Sequence, residues 1–115
     1  MVVDDDDDIR ETLRALLGEE GYRVSAFANG REALEALRAG QRPATILLDL
    51  MMPIMDGWDF RRAQLADPAL AGIPVILVTA AGLERVDPND FTAVLRKPLK
   101  LERVQDTIAR LRPAP

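Results

Sequence analysis

The stretch Thr45-Ile-Leu-Leu-Asp49-Leu-Met-Met-Pro53-Ile-Met-Asp56-Gly57 places the tightest limit on what this chain can fold into. Thr45 to Leu48 is apolar and partly β-branched, the pattern of a strand buried on both faces, as in parallel sheets covered by helices. The run ends on one carboxylate, Asp49. Met-Met-Pro then stops the strand, and Asp56-Gly57 marks a turn and helix start, with Asp56 as the cap. Asp49 is therefore expected at the carboxyl end of a central strand, the edge of an open parallel sheet where ligands bind.

The remaining periodicities alternate in type. Met1-Val2-Val3 is the end of a first strand, so short that part of it is expected upstream. Ile9, Leu13, Leu16 and Leu17 recur at helical spacing over roughly 8–20, with Asp7 or Asp8 available as N-cap and Gly21 just past the end. Val24 to Phe27 forms a weaker second strand, and Ala33, Leu34 and Leu37 define a second helix ending at Gly40. A third helix after Gly57 carries Trp58, Phe60 and Leu65 and is bounded by Pro68. Ile73 to Thr79 is another nearly continuous apolar strand, Thr92 to Arg96 a fifth, and Leu101, Val104, Ile108 and Leu111 set a last helix before Pro113-Ala-Pro115. Strands alternating with helices imply right-handed crossovers, hence an α/β three-layer sandwich on a five-stranded parallel sheet.

Composition narrows the chemistry. The 115 residues suit one domain, expected over 1–112 with 113–115 as a tail or linker start. Absence of cysteine and histidine removes disulfides, thiolate or imidazole metal ligation and a phosphohistidine donor within this chain. A net charge of −4 without a basic run argues against direct nucleic-acid or anionic-membrane binding. The acidic start lacks the basic-then-apolar order of a signal peptide, and a cytoplasmic location is expected.

Polar residues that follow strands share one edge of a parallel sheet. These are Asp4 and Asp5, Asp49, Thr79 and Lys97. Two carboxylates about 4 Å apart repel by roughly 4 kcal/mol at an effective dielectric of 20, so this group calls for a cation. Oxygen ligands alone favour a hard ion that keeps several waters, with Mg²⁺ ahead of Ca²⁺. Taken singly, each residue has a plainer reading: Asp4 to Asp8 as a solvated run with a cap, Thr79 as a strand-end threonine, Lys97 as a surface lysine. Asp49 is the least easily explained that way, because a carboxylate closing a buried strand needs a partner.

Val2-Val3-Asp4-Asp5 with Ile9-Arg10, Leu47-Leu-Asp49-Leu-Met-Met-Pro53 with Met55-Asp56-Gly57, Pro74 to Ala80, and Lys97-Pro98 together resemble the response-regulator receiver domains of two-component signalling. The resemblance implies a flavodoxin-like, CheY-like doubly wound fold with strand order 2-1-3-4-5. It implies that Asp49 is the phosphoacceptor, taking a phosphoryl group from a histidine kinase or phosphotransfer protein, and that the chain acts as a signalling module and not an enzyme. Asp5, Asp4 (largely through water), Asp49 and the backbone carbonyl of Met51 match the Mg²⁺ ligands. Thr79 and Lys97 match the groups that contact phosphoryl oxygens, and Lys97–Pro98 matches a cis peptide. A downstream protein partner or a fused output domain is the implied reader.

Three departures stand out. Only seventeen residues, Ala80 to Arg96, separate Thr79 from Lys97, and Pro88 interrupts them, so the fourth helix of the family is expected to be short, irregular or replaced by a loop. Val94 stands where receivers commonly carry an aromatic residue that moves on phosphorylation. Met51 and Ala81, two past Asp49 and Thr79, are poor holders of an attacking water, and slow loss of the phosphoryl group follows. Besides the phosphoacceptor reading, a pseudo-receiver that binds partners without phosphorylation fits these departures. An aspartate-nucleophile phosphohydrolase fits less well, since no second acid lies two residues after Asp49.

Overall fold

The computed structural model describes residues 1–80 and 86–111. Strand β1 (Val2–Val3) leads into helix α1 (Asp7–Glu19), followed by β2 (Ala26–Phe27), α2 (Gly30–Arg38), β3 (Ile46–Leu48), α3 (Gly57–Ala66), β4 (Val75–Thr79), a 3-10 turn (Pro88–Asp90), β5 (Ala93–Arg96) and α4 (Leu101–Leu111). All strand pairs are parallel, in the order β2-β1-β3-β4-β5. The register aligns Val3 with Leu48 and Leu48 with Leu77, so β1 and β3 end at one level, while β4 runs two residues further and ends with β5, Thr79 beside Arg96.

Alternation along each strand divides the core between two layers. Val3, Ile46, Leu48 and Val75 pack with Ala33, Leu34 and Leu37 of α2 and Phe60 of α3. Val2, Leu47, Ile76 and Val78 face the other way, onto Leu13 and Leu17 of α1 and Val104 of α4. Burying each such aliphatic side chain stabilises the fold by about 1.5–3 kcal/mol, enough to hold strands of two or three residues in place.

Helix ends follow local chemistry, with some differences from expectation. Asp6, not Asp7 or Asp8, caps α1, its carboxylate accepting the amides of Asp8 and Ile9. The choice is made by Asp4, whose Oδ1 accepts the Asp6 amide at 2.9 Å and draws Asp6 into the cap position. Asp56 caps α3 as expected, accepting the Asp59 amide. On α3, Phe60 and Gln64 are the side chains turned fully inward, whereas Leu65 is 49 % exposed and Trp58 half-buried. Leu101 opens α4 and is exposed, while Val104 is buried. The described part of the expected fourth-helix region, Ala80 and 86–91, contains a 3-10 turn and no α-helix. Its expected stretch 81–85 and the tail 113–115 lie outside the described residues.

Candidate functional site

Each candidate residue is placed by the end of a strand. Asp4 follows β1 at 2 % exposure, and Asp5 beside it is exposed. Asp49 follows β3 at 5 % exposure, its amide bonded to the Val3 carbonyl at 2.9 Å. Thr79 closes β4 and is buried, and its carbonyl accepts the Lys97 amide at 3.0 Å. The Lys97–Pro98 peptide is cis.

Lys97 brings the two buried acids together. Its Nζ lies 2.8 Å from Asp4 Oδ2 and 3.3 Å from Asp49 Oδ2. Asp49 Oδ1 accepts the Leu50 amide at 2.8 Å, so both of its oxygens are engaged. Asp4 Oδ2 is buried, and the Lys97 ammonium is its close partner. Carboxylate oxygens of Asp4, Asp5 and Asp49 all lie within 4.8 Å of one another. Burial first, and then the Asp4 charge, push the Asp49 carboxyl above its ordinary value against the pull of Lys97 and the Leu50 amide. For Lys97, burial is the largest single influence and lowers its pKa, but its contacts with Asp4 and then Asp49 outweigh it and the ammonium is held above its ordinary value.

The loop after Asp49 is fixed by close backbone packing. Gly57 donates its amide to the Leu50 carbonyl at 2.8 Å, and a Cβ there would stand 2.3 Å from the Asp49 carbonyl oxygen, so no side chain fits. Met51 projects outward at 61 % exposure. Sequence reasoning gave Arg10 no role. Its Nη1 donates to the Asp4 carbonyl at 2.7 Å and it also contacts Asp7, which ties α1 back to the site. Its position one helical turn into α1, after five aspartates, was the available signal.

The strand order and a lysine joined to the acids of β1 and β3 match one family. The model of the response regulator receiver domain matches residues 1–109. The chain belongs to the response regulator receiver family. It is 40% identical over 116 residues to the response regulator MprA of Mycolicibacterium vanbaalenii, an alignment covering 97% of this chain and 48% of that protein. The receiver thus spans about half the length of this curated relative. Among solved structures, the signal receiver domain of a Syntrophus aciditrophicus signal transduction histidine kinase superposes with a TM-score of 0.82 at 34% identity, covering 96% of this chain and 86% of that one. The Thermotoga maritima response regulator TrrA, solved in complex with Mg²⁺ and BeF, superposes at 0.83 and 28% identity, covering 96% of each chain. No helix among the described residues of this receiver is long and apolar enough to cross a membrane.

Proposed function

We propose that this receiver accepts a phosphoryl group on Asp49 from the phosphohistidine of a partner histidine kinase or phosphotransfer protein. The observation that carries this reading is the Lys97 ammonium set between Asp4 and Asp49, 3.3 Å from the Asp49 oxygen that does not accept the Leu50 amide. That oxygen, Oδ2, is the nucleophile. It forms a bond to phosphorus as the donor's phosphorus–nitrogen bond breaks and leaves its electron pair on the ring nitrogen, and the ring, protonated at its other nitrogen, departs as neutral imidazole. Lys97 and the Thr79 hydroxyl then take phosphoryl oxygens, supplying the positive and donor groups that phosphoryl transfer needs.

Asp4, Asp5 and Asp49, with the Met51 carbonyl, would hold Mg²⁺. The donor set is all oxygen, and three carboxylates within 4.8 Å of one another, with the Lys97 ammonium against two of them, fit a hard cation. Such an ion supplies positive charge beside the entering phosphoryl oxygens. A fused output domain or a separate downstream protein reads the modified state.

The test is incubation with phosphoramidate or acetyl phosphate and Mg²⁺, followed by intact mass. Gain of about 80 Da that is lost in Asp49→Asn supports the reading. A native chain that stays unmodified supports the second reading, a pseudo-receiver working by protein contact alone. That reading is favoured by half-buried Val94 in place of an aromatic residue and by the 3-10 turn at Pro88–Asp90.

A further inference from the structure

The loop that follows the phosphoacceptor contains a strained residue and is clamped from an unexpected direction. Ile54 has φ of 69°, and the Met55 amide donates to the Pro53 carbonyl at 2.7 Å, which makes a γ-turn of the rare positive-φ kind centred on a β-branched residue. Ile54 is 75 % exposed, so its own packing does not hold it there. The restraint comes from α2. Gly30, the first residue of that helix, donates its amide to the Met55 carbonyl at 3.0 Å.

Gly30 is not among the residues with positive φ, and glycine at a helix start has no advantage in helix propensity. Close approach is what requires it. A Cβ at Gly30 would stand 2.9 Å from the Met55 carbonyl oxygen and 3.0 Å from both Met55 Cγ and Phe60 Cβ. The helix start itself has little freedom to yield. Asn29 is buried, accepts the Glu32 amide at 3.0 Å and donates to the Glu32 carboxylate at 3.0 Å. Met51 to Asp56 is thus held between Gly30 at the start of α2 and Gly57 at the start of α3, which bonds Leu50 just after β3.

We propose that Gly30 is a positioning residue for the phosphoacceptor loop: the absence of a side chain there lets α2 set the depth of the loop that carries the Met51 carbonyl. The inference rests on the Mg²⁺-dependent reading above. Metal–ligand distances tolerate only about 0.2 Å, and a methyl group at Gly30 does not fit unless Met55 or the start of α2 gives way.

The experiment compares the parent with Gly30→Ala and with Gly18→Ala, whose Cβ would meet nothing within 4 Å. Mg²⁺ affinity is read by calorimetric titration, and the rate of mass gain from phosphoramidate is read at saturating Mg²⁺. Gly30→Ala is expected to weaken Mg²⁺ binding about tenfold and slow modification, while Gly18→Ala stays within twofold of the parent. Adding Ile54→Gly, which frees the turn to yield, restores part but not all of the Mg²⁺ affinity, a rescue that general loss of stability does not give. Where Gly30→Ala does not fold, Gly30→Ala/Ile54→Gly is measured against Ile54→Gly and is expected to bind Mg²⁺ more weakly. Gly30 variants that match their references in both readouts overturn this inference and leave the phosphoacceptor reading standing. A parent that neither binds Mg²⁺ nor gains mass overturns both.

Discussion

Asp49 is held in two opposed ways, and the balance is measurable. Its carboxyl is pushed up from 3.8 by burial and by Asp4, so the folded protein binds that proton more tightly than the unfolded chain and ionisation opposes folding. This penalty is absent below the ordinary carboxylate range and complete above the folded-state pKa. In metal-free buffer, Asp49→Asn is therefore expected to be more stable than the parent at pH 7, with the difference shrinking as pH falls toward 3.8. Urea unfolding across that range checks it, and an Asn variant no more stable at pH 7 contradicts it. Lys97 has the opposite sign. Its pKa is raised above 10.5, so its contribution is complete below that value and is lost as pH rises through the folded-state pKa. Lys97→Met leaves two buried carboxylates facing each other and is expected to cost about 3 kcal/mol near neutrality, a gap that narrows in strong alkali. Met51 bears on lifetime: an apolar, exposed side chain beside Asp49 gives water no hydrogen-bond anchor. The acyl phosphate is expected to persist well beyond seconds and to decay faster in Met51→Asn; rapid decay in the parent defeats the idea.

Elements were legible from sequence where periodicity and partner agree. The ends of β1 and β3 at Val3 and Leu48 coincide with an apolar-to-polar change, and β4 and β5 end on the first polar residue after their apolar runs, Thr79 and Arg96. The inner face of α3 was not legible. Trp58, Phe60 and Leu65 looked like its apolar set, yet the buried pair is Phe60 and Gln64, four apart on one face. Gln64 is inside because its Nε2 donates to the Leu70 and Ile73 carbonyls, each at 3.0 Å, and its Oε1 accepts Arg61 Nη1 at 2.8 Å. Its carbonyl partners lie in an irregular turn six and nine residues downstream, beyond the reach of any helical pattern. Gln64→Leu keeps the volume but takes the side-chain donor from the Ile73 carbonyl, while the Leu70 carbonyl keeps the Ile73 amide at 3.1 Å, and a loss of about 1–3 kcal/mol is expected by denaturant unfolding. A change under 0.5 kcal/mol means the turn finds water instead. The cap of α1 was ambiguous for a related reason: five consecutive aspartates are locally alike, and the choice depends on Asp4, which the sheet orients.

At the scale of the molecule, the site depends on all of the sheet between β1 and β5. Strands about 4.8 Å apart put β5 roughly 14 Å from β1, and Lys97 reaches Asp4 only by lying across the ends of β3 and β4. The strand order makes this meeting possible, and neither residue shows it alone in the sequence. A cation bound by Asp4, Asp5 and Asp49 therefore joins the segments following two central strands, which carry side chains into both core layers. In a domain of this size that unfolds as one unit, such binding raises the stability of the whole chain. At Mg²⁺ one hundred times its dissociation constant the gain is about 2.7 kcal/mol, or roughly 10 °C or more in Tm. Asp49→Asn is expected to start higher than the parent without metal and to gain much less on adding it. The two melting curves thus approach or cross as Mg²⁺ is raised. If Asp49→Asn gains as much as the parent, the ion is held elsewhere, with the exposed Asp5 to Asp8 run the alternative, and the ligand set proposed around Asp49 is wrong.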